Sequence, residues 1–110
     1  MPGWIRRSRA GLDLFELAAG PGLIVAMLTR TGGSSSPPFD SLNLSYHVGD
    51  DAARVDANRE LARAALGLDR LVTVRQVHGA TVLDADDDPS GRDAVEADAL
   101  VSARPGTGLG

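Results

Sequence analysis

The chain of 110 residues has a formal net charge of −4, with 11 basic and 15 acidic residues, and only 4% of its residues are aromatic. This composition excludes the basic, aromatic-rich surface that nucleic-acid binding needs, so we expect no nucleic-acid partner. A chain of this length forms one small domain and buries only about two-thirds of its extended surface, so further chain, a partner or a ligand would add to its stability.

Cysteine is absent from the sequence, which excludes disulfides and thiolate metal ligands within the chain and rules out a secreted disulfide scaffold. Arg6 and Arg7 are followed by Asp13 rather than by the apolar core of an export signal. The longest apolar run, Leu23–Leu28, is far shorter than the ~20 residues of a membrane-spanning helix. We therefore expect a cytoplasmic protein with no membrane partner.

Two apolar segments near the start of the chain indicate a β-hairpin. Leu12–Leu17 alternates in part, Leu23–Arg30 is strand-like, and Ala18–Gly22 between them has the composition of a turn. The next segment, Thr31–Pro38, contains only Gly, Ser and Pro after its first residue. That composition cannot pack a core or hold regular structure, so we predict a mobile loop.

Residues Asp51–Leu66 have the pattern of a helix, because apolar residues recur there at helical spacing: Val55, Ala62 and Leu66. The acidic pair Asp50 and Asp51 stands at the start, where carboxylates usually cap a helix, although such a pair can also bind a metal. Gly67 can adopt the left-handed conformation that ends a helix.

Leu71–His78 is rich in β-branched residues and predicts a strand whose alternate side chains, ending in Gln76 and His78, share one face. The remaining segments predict two short strands, an acidic loop and a turn: Thr81–Leu83, Ala99–Val101, Asp84–Arg92 and Arg104–Gly108. Strands before and after a helix indicate an α/β protein.

Four polar side chains are candidates for a functional site. Imidazole is the commonest protein metal ligand, but a lone histidine such as His78 is more often structural. Gln76 is either a buried polar group that needs partners or part of a solvated edge. Asn43 lies inside an apolar triplet, as in an ordinary strand and turn. Arg59 lies with Asn58 beside the apolar stripe of the helix, where both structural and binding roles are open.

Short motifs follow one another in a fixed order: Gly33-Ser34, Phe39-Asp40-Ser41-Leu42-Asn43-Leu44, His47-Val48-Gly49-Asp50-Asp51, Val55 with Asn58-Arg59, Gln76-Val77-His78-Gly79 and Ala97-Asp98-Ala99-Leu100-Val101. Together they resemble the laccase-like polyphenol oxidase, or YfiH-type, family. Its members are described as purine nucleoside phosphorylases that also deaminate adenosine and cleave methylthioadenosine. The resemblance covers nearly the whole chain from Gly32 onward, with Ser45 where the family usually carries glycine.

The resemblance implies a layered α/β sandwich with mixed sheets, of the cytotoxic-necrotizing-factor type, in which residues 1–110 form a single partial domain. It also implies purine nucleosides and phosphate as substrates and a zinc ion, with His78 as a metal ligand and Asn43, Arg59 and Gln76 as substrate-binding residues. The family's cysteine and second histidine ligands stand in segments that this chain lacks. We therefore expect the chain by itself to be an incomplete, inactive fragment.

Two other functions remain open. The older family label is a copper-dependent polyphenol oxidase (laccase), but two histidines and no cysteine are too few to bind several coppers. The other alternative is a non-catalytic binding fragment.

Overall fold

The computed structural model describes residues 3–87 and 95–110. Those residues form seven strands and one helix: β1 (Trp4–Arg9), β2 (Leu12–Leu17), β3 (Val25–Leu28), α1 (Ala52–Ala65), β4 (Arg70–Val72), β5 (Val82–Asp84), β6 (Ala99–Val101) and β7 (Thr107–Leu109). The chain divides into two compact units, Met1–Leu66 and Gly67–Gly110. The α/β prediction is confirmed.

The first unit contains an antiparallel sheet with the strand order β1-β2-β3. The predicted hairpin is confirmed as β2 and β3, although β3 is shorter than predicted. Strand β1 was not predicted, because its central residues are charged or polar and exposed. Its pairing with β2 follows a two-residue connection, Ala10-Gly11, in which both residues have positive φ (48° and 82°), the geometry of the tightest hairpin turns.

The core of this unit lies between one face of the sheet and helix α1. Leu12 and Leu14 of β2 are 1% and 0% exposed, and alternation along the strand places them on the same face. The core cluster contains residues from the sheet, the following loop and the helix: Leu12, Leu28, Leu42, Leu44, Ala62 and Ala65. Burial of this apolar surface is the main force that holds the helix on the sheet.

Helix α1 begins and ends close to the predicted positions. The Asp51 side chain caps it by accepting a hydrogen bond from the Ala53 N–H at 2.9 Å. Gly67, with φ of 67°, follows its last turn. The buried stripe of α1 contains one polar residue, Asn58, among Val55, Ala62 and Ala65.

The second unit contains two parallel strand pairs, β4 with β7 and β5 with β6. The short strands predicted near Thr81–Leu83 and Ala99–Val101 are confirmed, and β7 begins inside the segment predicted as a turn. Of the predicted acidic loop Asp84–Arg92, Asp84 closes β5, and residues 88–92 lie outside the described residues.

The prediction of a strand through His78 is wrong, because β4 ends at Val72. From residue 73 to His78, only Arg75 makes a strand-like bridge to another described residue, Glu96. His78 has a φ of 58°, which is left-handed and incompatible with an extended strand. Gln76 and His78 therefore lie on a loop, and the shared strand face predicted for them does not exist.

No helix within residues 3–87 and 95–110 has both the length and the apolar character needed to cross a bilayer.

Candidate functional site

The segment after β3 folds back on itself through its backbone. The Ser41 and Leu42 N–H groups both donate to the Arg30 carbonyl at 2.8 Å, and the Ser35 N–H donates to the Ser41 carbonyl at 3.0 Å. Gly33 lies so close to this turn that a Cβ atom on it would be 2.1 Å from the Ser41 carbonyl oxygen. Only glycine fits there without moving the backbone.

Asn58 anchors this segment to helix α1. Its side chain is 0% exposed. Its Oδ1 accepts hydrogen bonds from the N–H and the hydroxyl of Ser34, at 2.8 and 3.1 Å. Its Nδ2 donates to the Ser35 hydroxyl at 2.9 Å and to the Asn43 carbonyl at 2.8 Å. A buried amide with both donors and its acceptor engaged fixes the loop to the helix without a desolvation penalty.

Asp50 closes the same network from the other side. Its Oδ2 accepts from the Ser35 hydroxyl at 2.5 Å and from the Asn43 Nδ2 at 3.1 Å, and its Oδ1 accepts from the Asp51 N–H at 2.8 Å. The Ser35 hydrogen bond is the main cause that lowers the pKa of Asp50 below its usual value, against burial, which acts to raise it. We call Ser34, Ser35, Asn43, Asp50 and Asn58 the Asn58 cluster.

The side chain of Asn43 is engaged within its own loop. Besides the bond to Asp50, its Nδ2 donates to the Ser45 carbonyl at 3.2 Å, and its Oδ1 accepts from the Ser45 N–H at 3.1 Å. Ser45, which stands where glycine was expected, thus contributes both of its backbone groups to the turn. The substrate-binding role predicted for Asn43 stays a prediction. The hydrogen bonds of its side chain stabilise the loop.

Arg59 is fixed by the chain that follows Asn43. Its Nε donates to the Leu44 carbonyl at 2.8 Å, and its guanidinium carbon lies 4.4 Å from the centre of the Tyr46 ring. The Tyr46 hydroxyl donates to Asp56. Stacking on an aromatic ring orients the guanidinium plane and strengthens the contact through cation–π attraction.

The predicted Thr31–Pro38 loop has no strand or helix, as expected. Its side chains are not part of the apolar core cluster, but Ser35 is buried and only 6% exposed. Hydroxyls satisfied by Asn58 and Asp50 let this Gly/Ser segment pack without apolar side chains.

In the second unit, Gln76 and His78 lie on a loop that we call the His78 loop, residues 76–80. Both side chains are exposed. Both ends of the loop are hydrogen-bonded to the segment before β6. At one end, the Arg75 N–H donates to the Val95 carbonyl and the Ala97 N–H donates to the Arg75 carbonyl. At the other end, the Asp98 N–H donates to the Thr81 carbonyl at 2.9 Å.

The Asp98 carboxylate lies beside the His78 loop. Its Oδ1 accepts from the Val77 N–H at 3.1 Å, whereas its Oδ2 is buried and has no hydrogen-bond partner among the described residues. Burial acts to raise the pKa of Asp98, but the partial positive charges of nearby backbone N–H groups outweigh it and lower the pKa: those of Gly79, Val77, Thr81 and His78.

The structure therefore brings together the predicted residues in two groups. In the first unit Asn43 and Arg59 share one loop and the helix that it covers, and in the second unit Gln76 and His78 share the His78 loop. Sequence reasoning missed the roles of Ser35, Asp50 and Asp98. The only signal for them was their place in the ordered motifs, or beside one, since isolated Ser and Asp residues are usually solvated.

The described residues do not by themselves form a metal site. Within residues 3–87 and 95–110, no group of three or more His, Cys, Asp or Glu side chains is placed to bind a metal ion. The imidazole of His78 is exposed on a loop whose two ends are hydrogen-bonded, so it is suited to act as a single metal ligand. A catalytic zinc needs three protein ligands and an open position, so His78 would be one member of a larger set.

The sequence of residues 24–110 matches the family described as multi-copper polyphenol oxidoreductase laccase. A protein of Mycobacterium tuberculosis named as a purine nucleoside phosphorylase is 49% identical over 79 residues, which cover 70% of this chain and 31% of that protein. A protein of Streptomyces coelicolor with the same name is 46% identical over 82 residues, covering 73% and 34%. The chain spans about a third of the length of these curated relatives.

Solved structures share the fold. YlmD from Geobacillus stearothermophilus has a TM-score of 0.75 at 32% identity, and the match covers 87% of this chain and 40% of that one. The hypothetical protein YfiH from Bacillus licheniformis has a TM-score of 0.73 at 28% identity, with the same coverage. The predicted α/β fold with mixed sheets is thus confirmed as the fold of YlmD and YfiH.

Proposed function

The chain belongs to the multi-copper polyphenol oxidoreductase laccase family, and from this premise we propose that the complete product of its gene is a purine nucleoside phosphorylase. The observation that carries the proposal is the 44–49% identity to several relatives bearing that name. The residues that match the family model, 24–110, include the segments that form the Asn58 cluster and the His78 loop.

Phosphorolysis needs an anion held near the anomeric carbon of the nucleoside, where phosphate displaces the base. Arg59 suits the binding of phosphate, because its guanidinium plane is already oriented by Tyr46 and the Leu44 carbonyl. Gln76, exposed on the His78 loop, presents an amide that can bond a base or a ribose hydroxyl. Asn43 contributes by holding the loop from which Arg59 takes its contact.

His78 is proposed as one ligand of a zinc ion in the complete protein. A zinc ion with an open position would supply Lewis-acid chemistry and an acidified water. The part of this chain's own residues is to hold the imidazole in place on the His78 loop. Removing His78 should therefore lower the zinc content, as measured by elemental analysis.

The direct test measures ribose 1-phosphate and free base from inosine and adenosine, with phosphate or with sulfate as the matched control anion. We expect base release that requires phosphate and yields one ribose 1-phosphate per base. Equal release in sulfate, or none with any purine nucleoside in the presence of zinc, would contradict the proposal. In the same assay, Arg59→Lys should raise the KM for phosphate more than the KM for nucleoside, because Lys cannot form a planar, two-point contact.

Adenosine deamination is proposed as a side activity of the same protein. Ammonia and inosine would then form from adenosine without phosphate, and phosphate would not stimulate that reaction. Loss of both reactions in one His78 variant would support a shared site.

The alternative of a copper-dependent phenol oxidase is supported by the printed description of the family. Several copper ions need more histidine and cysteine ligands than the two histidines of this chain supply. Oxygen uptake with a phenol and added copper, faster than any nucleoside reaction, would favour the oxidase instead.

A further inference from the structure

The His78 loop is closed by backbone hydrogen bonds at both of its ends. The hydrogen bonds of Arg75 with Val95 and Ala97, at 3.0 and 3.1 Å, close one end, and the Thr81 carbonyl, which accepts from Asp98 and Ala99, closes the other. The segment that closes both ends is thus the one that carries Asp98. These hydrogen bonds hold the two ends of the loop, so the conformation of its tip depends on further contacts.

The Asp98 carboxylate is what restrains the tip. It accepts from the Val77 N–H at 3.1 Å, one residue before His78, and a Cβ atom on Gly79 would lie 3.1 Å from its Oδ2. The carboxylate therefore bonds the backbone before His78 and lies close to the backbone after it. Glycine at position 79 is the residue that allows so close an approach.

His78 needs such a restraint. Its φ of 58° is an unfavourable conformation for a residue with a side chain, and it persists only when the surrounding structure imposes it. With φ fixed at this value, the direction of the Cα–Cβ bond, from which the imidazole extends, is fixed relative to the rest of the loop. A loop free to return to negative φ would swing the ring to a different position.

We propose that Asp98 is a positioning residue that sets the direction of the His78 imidazole by holding the backbone on both sides of it. The carboxylate is suited to this because both of its oxygens are acceptors, whereas an amide would keep one acceptor and turn its NH2 donors toward the backbone N–H groups on one side of His78. The functional value of the ring direction rests on the proposed function, but the restraint itself does not.

The test compares Asp98→Asn with Glu96→Gln in the complete gene product. Both substitutions remove one negative charge from the same segment, but Glu96 is exposed and bonds only the side chain of Arg75 among the described residues. Hydrogen exchange of the amides of residues 77–79 should be about tenfold faster or more in D98N, as expected from the loss of a bond to a charged acceptor. In E96Q it should stay within about twofold of wild type, as for an ordinary surface change.

A second measurement monitors the imidazole of His78 directly. The NMR signals of the His78 ring should shift or broaden in D98N, while those of His47 stay unchanged, and E96Q should leave both unchanged. Zinc affinity, measured by competition with a chelator, should fall about tenfold or more in D98N, in the range seen when groups that orient a ligand are removed. In the phosphorolysis assay kcat should fall more than the KM for nucleoside rises.

Gly79→Ala provides the same test if D98N does not fold, because its methyl group would press on the carboxylate and disturb the contact while keeping the charge. Exchange rates and His78 ring signals that match those of E96Q in the folded variants would overturn the proposal. If wild-type protein shows no phosphorolysis, the proposed function fails on that result alone. The exchange and NMR comparisons still decide the role of Asp98.

Discussion

The two units of the chain use polar residues in opposite ways. In the first, the Asn58 cluster is built around the buried side chains of Ser35 and Asn58, and its side chains bond one another and the loop backbone. In the second, Gln76 and His78 are exposed, and the restraint comes from backbone hydrogen bonds and one carboxylate. The first arrangement stabilises a fold, whereas the second leaves the side chains of Gln76 and His78 exposed on a restrained loop.

Residues that belong to the same set of family motifs therefore differ in their structural surroundings and are expected to differ in their roles. Asn43, Asn58 and Arg59 belong to the same ordered set of motifs as Gln76 and His78. Substitutions in the Asn58 cluster should act mainly on stability, and substitutions at the tip of the His78 loop should act mainly on chemistry.

The largest effect on stability is expected from Asn58→Ala. It leaves the Ser34 N–H and the hydroxyl groups of two serines without their buried partner, at a cost of about 3 kcal/mol in the free energy of unfolding. Urea unfolding should show this loss, while Glu60→Ala, an exposed change on the same helix, should cost about 0.5 kcal/mol or less. Equal stability of the two variants would mean that the Asn58 cluster does not hold the loop.

A smaller loss is expected from Gly33→Ala. The added methyl group would meet the Ser41 carbonyl and the Leu42 backbone, so the turn must open at a cost of about 2 kcal/mol. Gly20→Ala is the matched control, since it places a methyl group in open space and costs only the strain of positive φ, about 1 kcal/mol. A wild-type urea midpoint for the Gly33 variant would contradict the close approach.

Acid should weaken the first unit through Asp50. Because its pKa in the folded protein lies below the usual value, its contribution is present above the unfolded pKa of about 4 and is lost as the pH falls through the folded value. The urea midpoint should therefore fall below about pH 4, and part of that fall should be missing in Asp50→Asn. The same pH dependence in both proteins would remove Asp50 from the network.

The smallest effect is expected for zinc added to the 110-residue chain alone. With two histidines and no cysteine, it cannot provide the thiolate and imidazole set of a tight tetrahedral site. Calorimetric titration should give weak binding, and the chain should show no phosphorolysis above background. Submicromolar affinity at one equivalent of zinc would contradict this expectation.

Sequence patterns predicted the elements that have a single clear signal. Apolar spacing and the end signals of Asp51 and Gly67 located helix α1 to within one residue at each end. Partial alternation located β2, and a strand-like apolar run located β3. Strand β1 was not predicted, because it has no apolar pattern of its own and its pairing depends on β2. Arg6 and Arg9 of β1 bond Asp13 and Glu16 of β2.

The candidate site was less predictable, for a physical reason. The β-branched run up to Val77 predicted a strand, but a strand also needs a neighbour along its whole length, and from residue 73 to His78 only Arg75 finds one among the described residues. The roles of Asp50 and Asp98 depend on contacts with residues 15 and 21 positions away. Such contacts leave no periodic signal in the sequence.

His78 is proposed to act in chemistry rather than in folding. The most direct measurement is kcat/KM for phosphorolysis of inosine by His78→Ala, beside His47→Ala, which changes the other histidine of the chain, also exposed. We expect kcat/KM to fall about 100-fold or more in H78A, as for loss of a metal ligand. The free energy of unfolding should change by about 1 kcal/mol or less. H47A should stay within about twofold of wild type. Wild-type kcat/KM in H78A would contradict the proposed role of His78.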